Sequence, residues 1–351
     1  MEEMMNAIVF SGVGETTYTK VPKPKIQGPN DVLMKIEAAS ICGTDVHILS
    51  TPPSYPANQG IVQGHEFVGR VEEVGSAVTT IKPGDRVVLD PNVFCGECYQ
   101  CKKGNFNMCE NVYVLGITDN GGFGEYAVAP CKMCVKISQE LPAETAIFAE
   151  PLTCVVSAVN KIRLLPGESV LVLGAGPIGL YFTMLLKANG AGKIIVSEPN
   201  PKRGEYALKA GADRVINPQE VNLVEEILKE TDGHGIDVVA EAVGTLIQEA
   251  VDCVRPKGRI VLFGMDSSKK PEVDQFKIVR NEIEIYGSFI GLNTLPATVE
   301  LMESGLIDLQ QLITHRLALK DFDIGLKAMR DGSALEVILY PDWDETGRKR
   351  V

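Results

Sequence analysis

Cys95, Cys98, Cys101 and Cys109 follow the spacing C-x2-C-x2-C-x7-C. Four thiolates within fifteen residues can close a tetrahedral shell around one zinc ion. We read this stretch, about residues 91–112, as a structural metal lobe. It also directs the search for a second, catalytic metal to the surrounding chain. Nine cysteines in 351 residues could suggest a disulfide framework. The count is odd, the chain is long, and the opening Met1-Glu2-Glu3-Met4-Met5 is acidic without the apolar core of a secretory signal. Metal-bound thiolates in a reducing cytoplasm are the expected setting.

Charge removes several partner classes. Lys and Arg number 34 against 46 Asp and Glu, a formal net charge of -12. Such a chain has no generic attraction to nucleic acid or an anionic membrane. Ser169 to Leu186 is uncharged and mostly apolar, but Gly174, Gly176, Pro177 and Gly179 interrupt it, so no membrane span is expected.

The texture changes along the chain. Up to about residue 150 it is β-rich. Asp31–Glu37 and Phe67–Val74 alternate partially, and turns at Pro83-Gly84 and Gly121-Gly122 lead into apolar runs. From about 165, short apolar strands alternate with helical runs. Strands are expected at 168–173, 193–197, 214–216, 236–240 and 258–263, with helices between them. That alternation predicts an α/β, doubly wound parallel sheet. From about 292 the texture is mixed, with helices near 296–304 and 321–331 and a last strand at 336–339. The charged tail from Asp342 is expected to fray.

Gly174-Ala175-Gly176-Pro177-Ile178-Gly179 follows a strand and opens a helix, and Glu198 ends the next strand. The first glycine permits a tight turn, the second lets backbone approach a pyrophosphate, and the third lets helix pack on sheet. The N–H groups at the helix start, from Ile178 onward because Pro177 has none, then face phosphates. An acid in the place of Glu198 hydrogen-bonds an adenosine ribose and repels a 2′-phosphate, so NAD is expected over NADP. Arg203 is the counter-argument, because a guanidinium can take that phosphate; it could equally lie against adenine.

Metal donors cluster in two further places. Cys42-Gly43-Thr44-Asp45-Val46-His47 gathers a thiol, hydroxyl, carboxylate and imidazole, and Gly64-His65-Glu66 adds an imidazole beside a carboxylate. Glu150 precedes Pro151 just before the change of texture. Thiolate, imidazole and carboxylate suit an open zinc site.

With these motifs the chain resembles the zinc-dependent medium-chain dehydrogenases, most closely the sorbitol (polyol) and threonine dehydrogenase branch. The resemblance covers about residues 6–340. It rests on Cys42–His47, Gly64–Glu66, Pro83-Gly84-Asp85-Arg86-Val87, the four-cysteine lobe, Glu150-Pro151-Leu152, Gly174–Gly179 and Asn293-Thr294-Leu295-Pro296. It implies a GroES-like β-rich catalytic domain over 1–155 and 292–351, and a Rossmann domain over 156–291. Cys42, His65 and Glu150 are then the catalytic zinc ligands, with Glu66 bound directly or through water. Cys95, Cys98, Cys101 and Cys109 hold the structural zinc. Thr44 and His47 form a proton relay, and Asp45 orients His65. Ile178, Glu198 and Arg203 match cofactor contacts, while Phe263-Gly264-Met265 and Ser288-Phe289-Ile290 line the nicotinamide side.

The implied reaction is hydride transfer between NAD and a secondary alcohol, a polyol or sugar alcohol, by a homo-oligomer, tetramer or dimer. L-Threonine is the alternative substrate. Polyol members place Arg-Tyr after the phenylalanine equivalent to Phe289, whereas Ile290-Gly291 stand here, which leaves the alcohol open. A zinc-stabilised nucleotide-binding protein without catalysis is a third reading. At single residues, Cys42 could be a buried hydrophobe, His47 a surface residue and Glu150 a helix cap, and Cys154 could replace Glu150 as ligand. Cys131 and Cys134 are read as core or edge-strand thiols, because a zinc shell built on them lacks two ligands. Cys253 is read as packing, and His234 and His315 receive no role.

Overall fold

The computed structural model describes residues 2–343. Two compact units divide the chain, Met1–Pro151 with Leu295–Val351, and Leu152–Thr294. The first unit is built on a seven-stranded sheet. Its strands run Ile313–Ala318, Glu336–Tyr340, Asp31–Ser40, Glu66–Val74, Arg86–Leu89 and Cys134–Ile137 in spatial order, and Tyr126–Pro130 also pairs with Asp31–Ser40. Asp31–Ser40 is buried at seven of its ten positions, among them Val32, Met34, Ile36 and Ala38. Asp31, Lys35 and Glu37 are only half-buried, which is the partial alternation seen in the sequence. Its register with the last strand, Ile338 opposite Ser40 and Leu339 opposite Ala39, joins the end of the chain to this unit.

The hairpin of Met4–Gly12 with Glu15–Pro22 and the strand Ile313–Ala318 were not expected from the sequence. Glu15–Pro22 has no buried residue, so hydrophobic periodicity carries no signal there. The helix Ala149–Ile162 was likewise unmarked, because it begins inside the stretch read as a texture boundary.

The second unit holds a six-stranded parallel sheet in the order Arg214–Ile216, Lys193–Ser197, Ser169–Leu173, Ile236–Glu241, Val254–Leu262 and Glu284–Gly287. The helices between strands include Pro177–Ala188, Pro201–Lys209, Leu223–Glu230 and Ile247–Cys253. Asn200 and Asn222 cap two of them, each side chain accepting from backbone N–H groups of the first turn. This is the doubly wound fold that the alternation predicted. Cys253 is fully buried at its helix end, as its packing role requires. No helix among the described residues is long and apolar enough to cross a membrane. Most of the tail expected to fray lies outside the described residues; within them, Asp342 pairs with Lys35 at 2.8 Å and Trp343 stacks on Tyr340.

One polar cluster ties the two sequence-distant parts of the first unit. Glu144 accepts from Arg316 Nε at 2.9 Å, from Arg316 Nη2 at 2.8 Å and from the Tyr340 hydroxyl at 2.6 Å. The Arg316 hydrogen bonds, followed by that of Tyr340, hold its carboxyl below the ordinary value against the opposing effect of burial. A depressed carboxylate contributes stability above its unfolded pKa and loses it as pH falls through the folded one. Glu144→Gln should therefore cost about 1 kcal/mol near pH 7, modest because both groups are partly exposed. The difference should shrink below about pH 4, as followed by urea unfolding at several pH values.

Candidate active site and metal centres

The register of two central strands assembles the first donor set. Ser40, near the end of one strand, lies opposite Glu66, the first residue of the next. Cys42 is two residues beyond Ser40, at the start of the short helix Gly43–Ile48. Gly64 adopts φ +91°, and a Cβ there would meet the Phe123 ring at 2.3 Å, so only glycine allows the turn that delivers His65. Sγ of Cys42, a ring nitrogen of His65 and a carboxylate oxygen of Glu66 consequently lie within 4.8 Å of one another. His65 and Glu66 are buried and Cys42 half-buried.

Glu150, expected as the third ligand, is not in this converging set; Glu66 is. Glu150 sits in the first turn of the helix Ala149–Ile162, close enough for its charge to act on the Cys42 thiol. Cys154 is one turn further along that helix and also outside the set. The carboxylate at Glu66 is fixed by the Ser40 hydroxyl, which donates to its Oε2. Ser40 was missed by the sequence reading, and only the cross-strand register reveals it.

The electrostatics call for a cation. Burial pushes the Cys42 thiol well above its usual value, and the charges of Glu66, Asp45 and Glu150 push it further. Asp45 is itself raised to about 6, mainly by burial. Its Oδ2 accepts from Cys42 N at 2.9 Å, but its Oδ1 and His65 Nδ1 stand 3.7 Å apart and neither has a hydrogen-bond partner. Buried acids around a thiol are unfavourable unless a positive ion compensates them, so the donor set fits zinc. Thr44 Oγ1 lies 3.8 Å from Cys42 Sγ, while His47 is exposed with Nδ1 3.0 Å from Ser54 Oγ.

The four-cysteine lobe converges as well, all four sulfurs lying within 4.8 Å. Backbone N–H groups aim at them: Glu97 and Cys98 donate to Cys95 at 3.4 Å, Cys101 to Cys98 at 3.5 Å and Asn111 to Cys109 at 3.4 Å. The N–H of Glu97 and then that of Cys98 bring the Cys95 thiol down to about 6, whereas burial raises Cys101 to about 12. N–H donors around sulfur are the surroundings of a thiolate shell.

In the second unit the nucleotide residues form a row. Ser197, Leu173, Glu241, Leu262 and Gly287 are successive cross-strand partners at the carboxyl ends of parallel strands. Gly174, Glu198, Phe263 and Ser288 each follow one of these strand ends, along the crest where open α/β sheets bind ligands. A Cβ on Gly176 would meet nothing within 4 Å, leaving its backbone open to a phosphate, whereas one on Gly179 would sit 2.0 Å from Gly174 O. Pro177 begins the helix, and Gly176 before it provides no side-chain cap, so the first N–H groups stay free. Glu198 is buried, its Oε2 accepting from Ala175 N at 2.7 Å and its Oε1 from Asn200 N at 2.9 Å. Arg203 Nε and Ser288 Oγ are buried without partners, two orphaned donors that a dinucleotide would satisfy. Phe263 packs edge-on against Phe182 at 5.5 Å, Met265 and Phe289 are exposed, and Ile290 takes φ +43°, a strained setting for a β-branched residue.

Glu241 was missed. Its Oε1 accepts from Val243 N at 3.0 Å and Gly244 N at 2.7 Å, shaping the loop after the central strand. An acid ending the apolar run Ile236–Glu241 was the available signal.

Two family models match the chain, the alcohol dehydrogenase GroES-like domain over residues 28–139 and zinc-binding dehydrogenase over 177–304. This chain belongs to the zinc-dependent medium-chain dehydrogenases. An L-threonine 3-dehydrogenase of Pyrococcus horikoshii is 37% identical, covering 96% of this chain and 99% of that protein. A sorbitol dehydrogenase of Bacillus subtilis is 34% identical over 96% and 98%. A zinc-binding dehydrogenase of Sinorhizobium meliloti 1021 bound to NADP superposes with a TM-score of 0.92 at 32% identity, covering 97% and 100%. As a medium-chain dehydrogenase the chain is an alcohol dehydrogenase-type oxidoreductase using zinc and a nicotinamide dinucleotide.

The lobe and the Cys42 set should behave differently on metal loss. Cys98→Ser should lower zinc content to one ion per chain, given two donor groups, and destabilise the fold by several kcal/mol, on the order expected for a structural zinc. Full stability with only rate lost would contradict a structural role. Because the Cys42 thiol is raised, zinc uptake there must release protons. Chelator competition should strip that metal more readily at pH 5.5 than at pH 8, and an equal loss at both would contradict the assigned ligand.

Proposed function

We propose that this medium-chain dehydrogenase reversibly oxidises a secondary alcohol, a polyol or sugar alcohol, passing hydride to NAD. The observation that carries the reading is the convergence of Cys42, His65 and Glu66 within 4.8 Å in one unit of a chain whose other unit has a complete dinucleotide turn. Cys42, His65 and Glu66 would hold the catalytic zinc, with Glu150, whose charge acts on the Cys42 thiol, as the further donor from the first turn of its helix. Zinc bound there provides Lewis acidity toward the substrate hydroxyl. Asp45, 3.7 Å from His65 Nδ1, is the carboxylate that would orient that ring once zinc is bound, Thr44 takes the hydroxyl proton, and His47, exposed beside Ser54, passes it to solvent.

Glu198 supports NAD over NADP. Its buried carboxylate stands at the strand end where a 2′-phosphate would have to approach. Ile178 N–H faces the pyrophosphate, Arg203 completes the adenosine side, and Phe263, Gly264, Met265, Ser288, Phe289 and Ile290 the nicotinamide side. L-Threonine is the second reading, favoured by the 37% identity to an enzyme of that name, while Ile290-Gly291 in place of Arg-Tyr weakens sorbitol itself.

Cys42→Ala and His65→Ala should each lower turnover by about 10³-fold or more, several kcal/mol of barrier, while NAD binding followed by titration calorimetry is kept. Retained alcohol oxidation would overturn the ligand assignment. A screen of D-arabinitol, sorbitol, xylitol, galactitol, L-threonine and 2,3-butanediol with both dinucleotides should give its highest kcat/KM with NAD and a polyol. A preference for NADP would overturn the role of Glu198, and a preference for L-threonine would select the second reading.

A further inference from the structure

The pair Cys131-Lys132-Met133-Cys134 takes no part in either metal centre, since neither cysteine joins a group of three or more metal donors among the described residues. It occupies a 3-10 turn, Cys131–Met133, between the strands Tyr126–Pro130 and Cys134–Ile137. The turn is closed by a hydrogen bond from Cys134 N to Cys131 O. Such an i→i+3 turn holds its end Cα atoms under about 7 Å, a spacing that overlaps the disulfide range of about 4.4–6.8 Å. Both ends are anchored, with Cys131 N donating to Asn30 O at 2.8 Å and Asp90 N to Met133 O at 3.1 Å.

The two thiols are both half-buried and differ in their surroundings. Cys131 is half-buried in the wall of a cavity of about 650 Å³ that also includes Phe94, Cys95 and Lys132. Its Sγ lies 3.5 Å from Thr80 Oγ1, and the ammonium of Lys132 sits over the Phe94 ring at 4.3 Å, placing positive charge beside that cavity. Cys134 carries its Sγ 3.6 Å from Pro130 O. Burial first, and then the charge of Cys131, raises the Cys134 thiol to about 12. The sulfur on the cavity wall is the one a small solute meets first, and the second follows three positions along the same closed turn.

We propose that Cys131 and Cys134 are a modification site, a dithiol that a hydroperoxide converts to an intramolecular disulfide. The Cys131 sulfur attacks one oxygen of the peroxide and the O–O bond breaks. A sulfenic acid forms on Cys131, and the departing hydroxide leaves as water with the thiol proton. The Cys134 sulfur then attacks the Cys131 sulfur. The S–O bond breaks, the S–S bond forms, and the hydroxyl leaves as a second water with the Cys134 proton. Two thiols lose two electrons and one peroxide becomes two waters.

Lys132 makes the test direct, because trypsin cuts between the two cysteines. The zinc-loaded enzyme is treated with hydrogen peroxide, alkylated without reduction and digested. The expected product is fragment 104–132 joined to Met133–Lys136, separable by dithiothreitol, with zinc content unchanged. Cys131→Ser, altered at a half-buried cavity wall, should keep its zinc and lose the linked pair. Recovery of Met133–Lys136 unlinked and alkylated would overturn the proposal. So would a link that survives in Cys131→Ser, which would assign it to Cys109, or zinc release in step with linkage, which would assign the oxidation to the lobe.

Discussion

The pairing of Asp31–Ser40 with Glu66–Val74 is the constraint on which the rest depends. One strand of that pair ends two residues before Cys42, the other begins beside His65, and their register sets Ser40 against Glu66. The same first strand also accepts Tyr126–Pro130 and the C-terminal Glu336–Tyr340. Shifting it by one residue would turn Val32, Met34, Ile36 and Ala38 away from their buried faces, so burial of that apolar set locks the donor geometry. Catalytic precision here follows from core packing.

The two sulfur-containing centres meet the same electrostatic problem in different ways. Around Cys42 the neighbours are acids, which oppose loss of the thiol proton until a cation is present. Around Cys95 the neighbours are backbone N–H groups, which favour a thiolate before any metal arrives. The first arrangement makes the ion indispensable to the charge balance of a reactive site. The second gathers four sulfurs from one short loop, ready for a cation before it binds.

In the parallel sheet, function is carried by strand ends rather than by a contiguous motif. Gly174, Glu198, Phe263 and Ser288 are separated by up to 114 positions, yet each caps a neighbouring strand in one hydrogen-bonded row. The orphaned Arg203 Nε and Ser288 Oγ, and the free space at Gly176, mark the places left for polar ligand atoms. Buried polar groups rarely go without partners unless something else supplies them.

The sequence by itself determined the parallel α/β unit, because strand and helix periods differ and the glycines at 174, 176 and 179 have local steric causes. It determined the four-cysteine lobe, because all its ligands lie within fifteen residues. The tertiary structure alone decided that Glu66, which the sequence left between direct and water-mediated contact, converges with Cys42 and His65. That choice depends on cross-strand register and on the turn at Gly64, which no local pattern encodes. It alone showed Ser40 and Glu241 as supports, since a lone hydroxyl or carboxylate acquires meaning only from the N–H or carboxylate brought opposite it. It also placed Cys131 on the wall of a cavity shared with Asn30, Val93 and Tyr113, because distant segments pack over that turn.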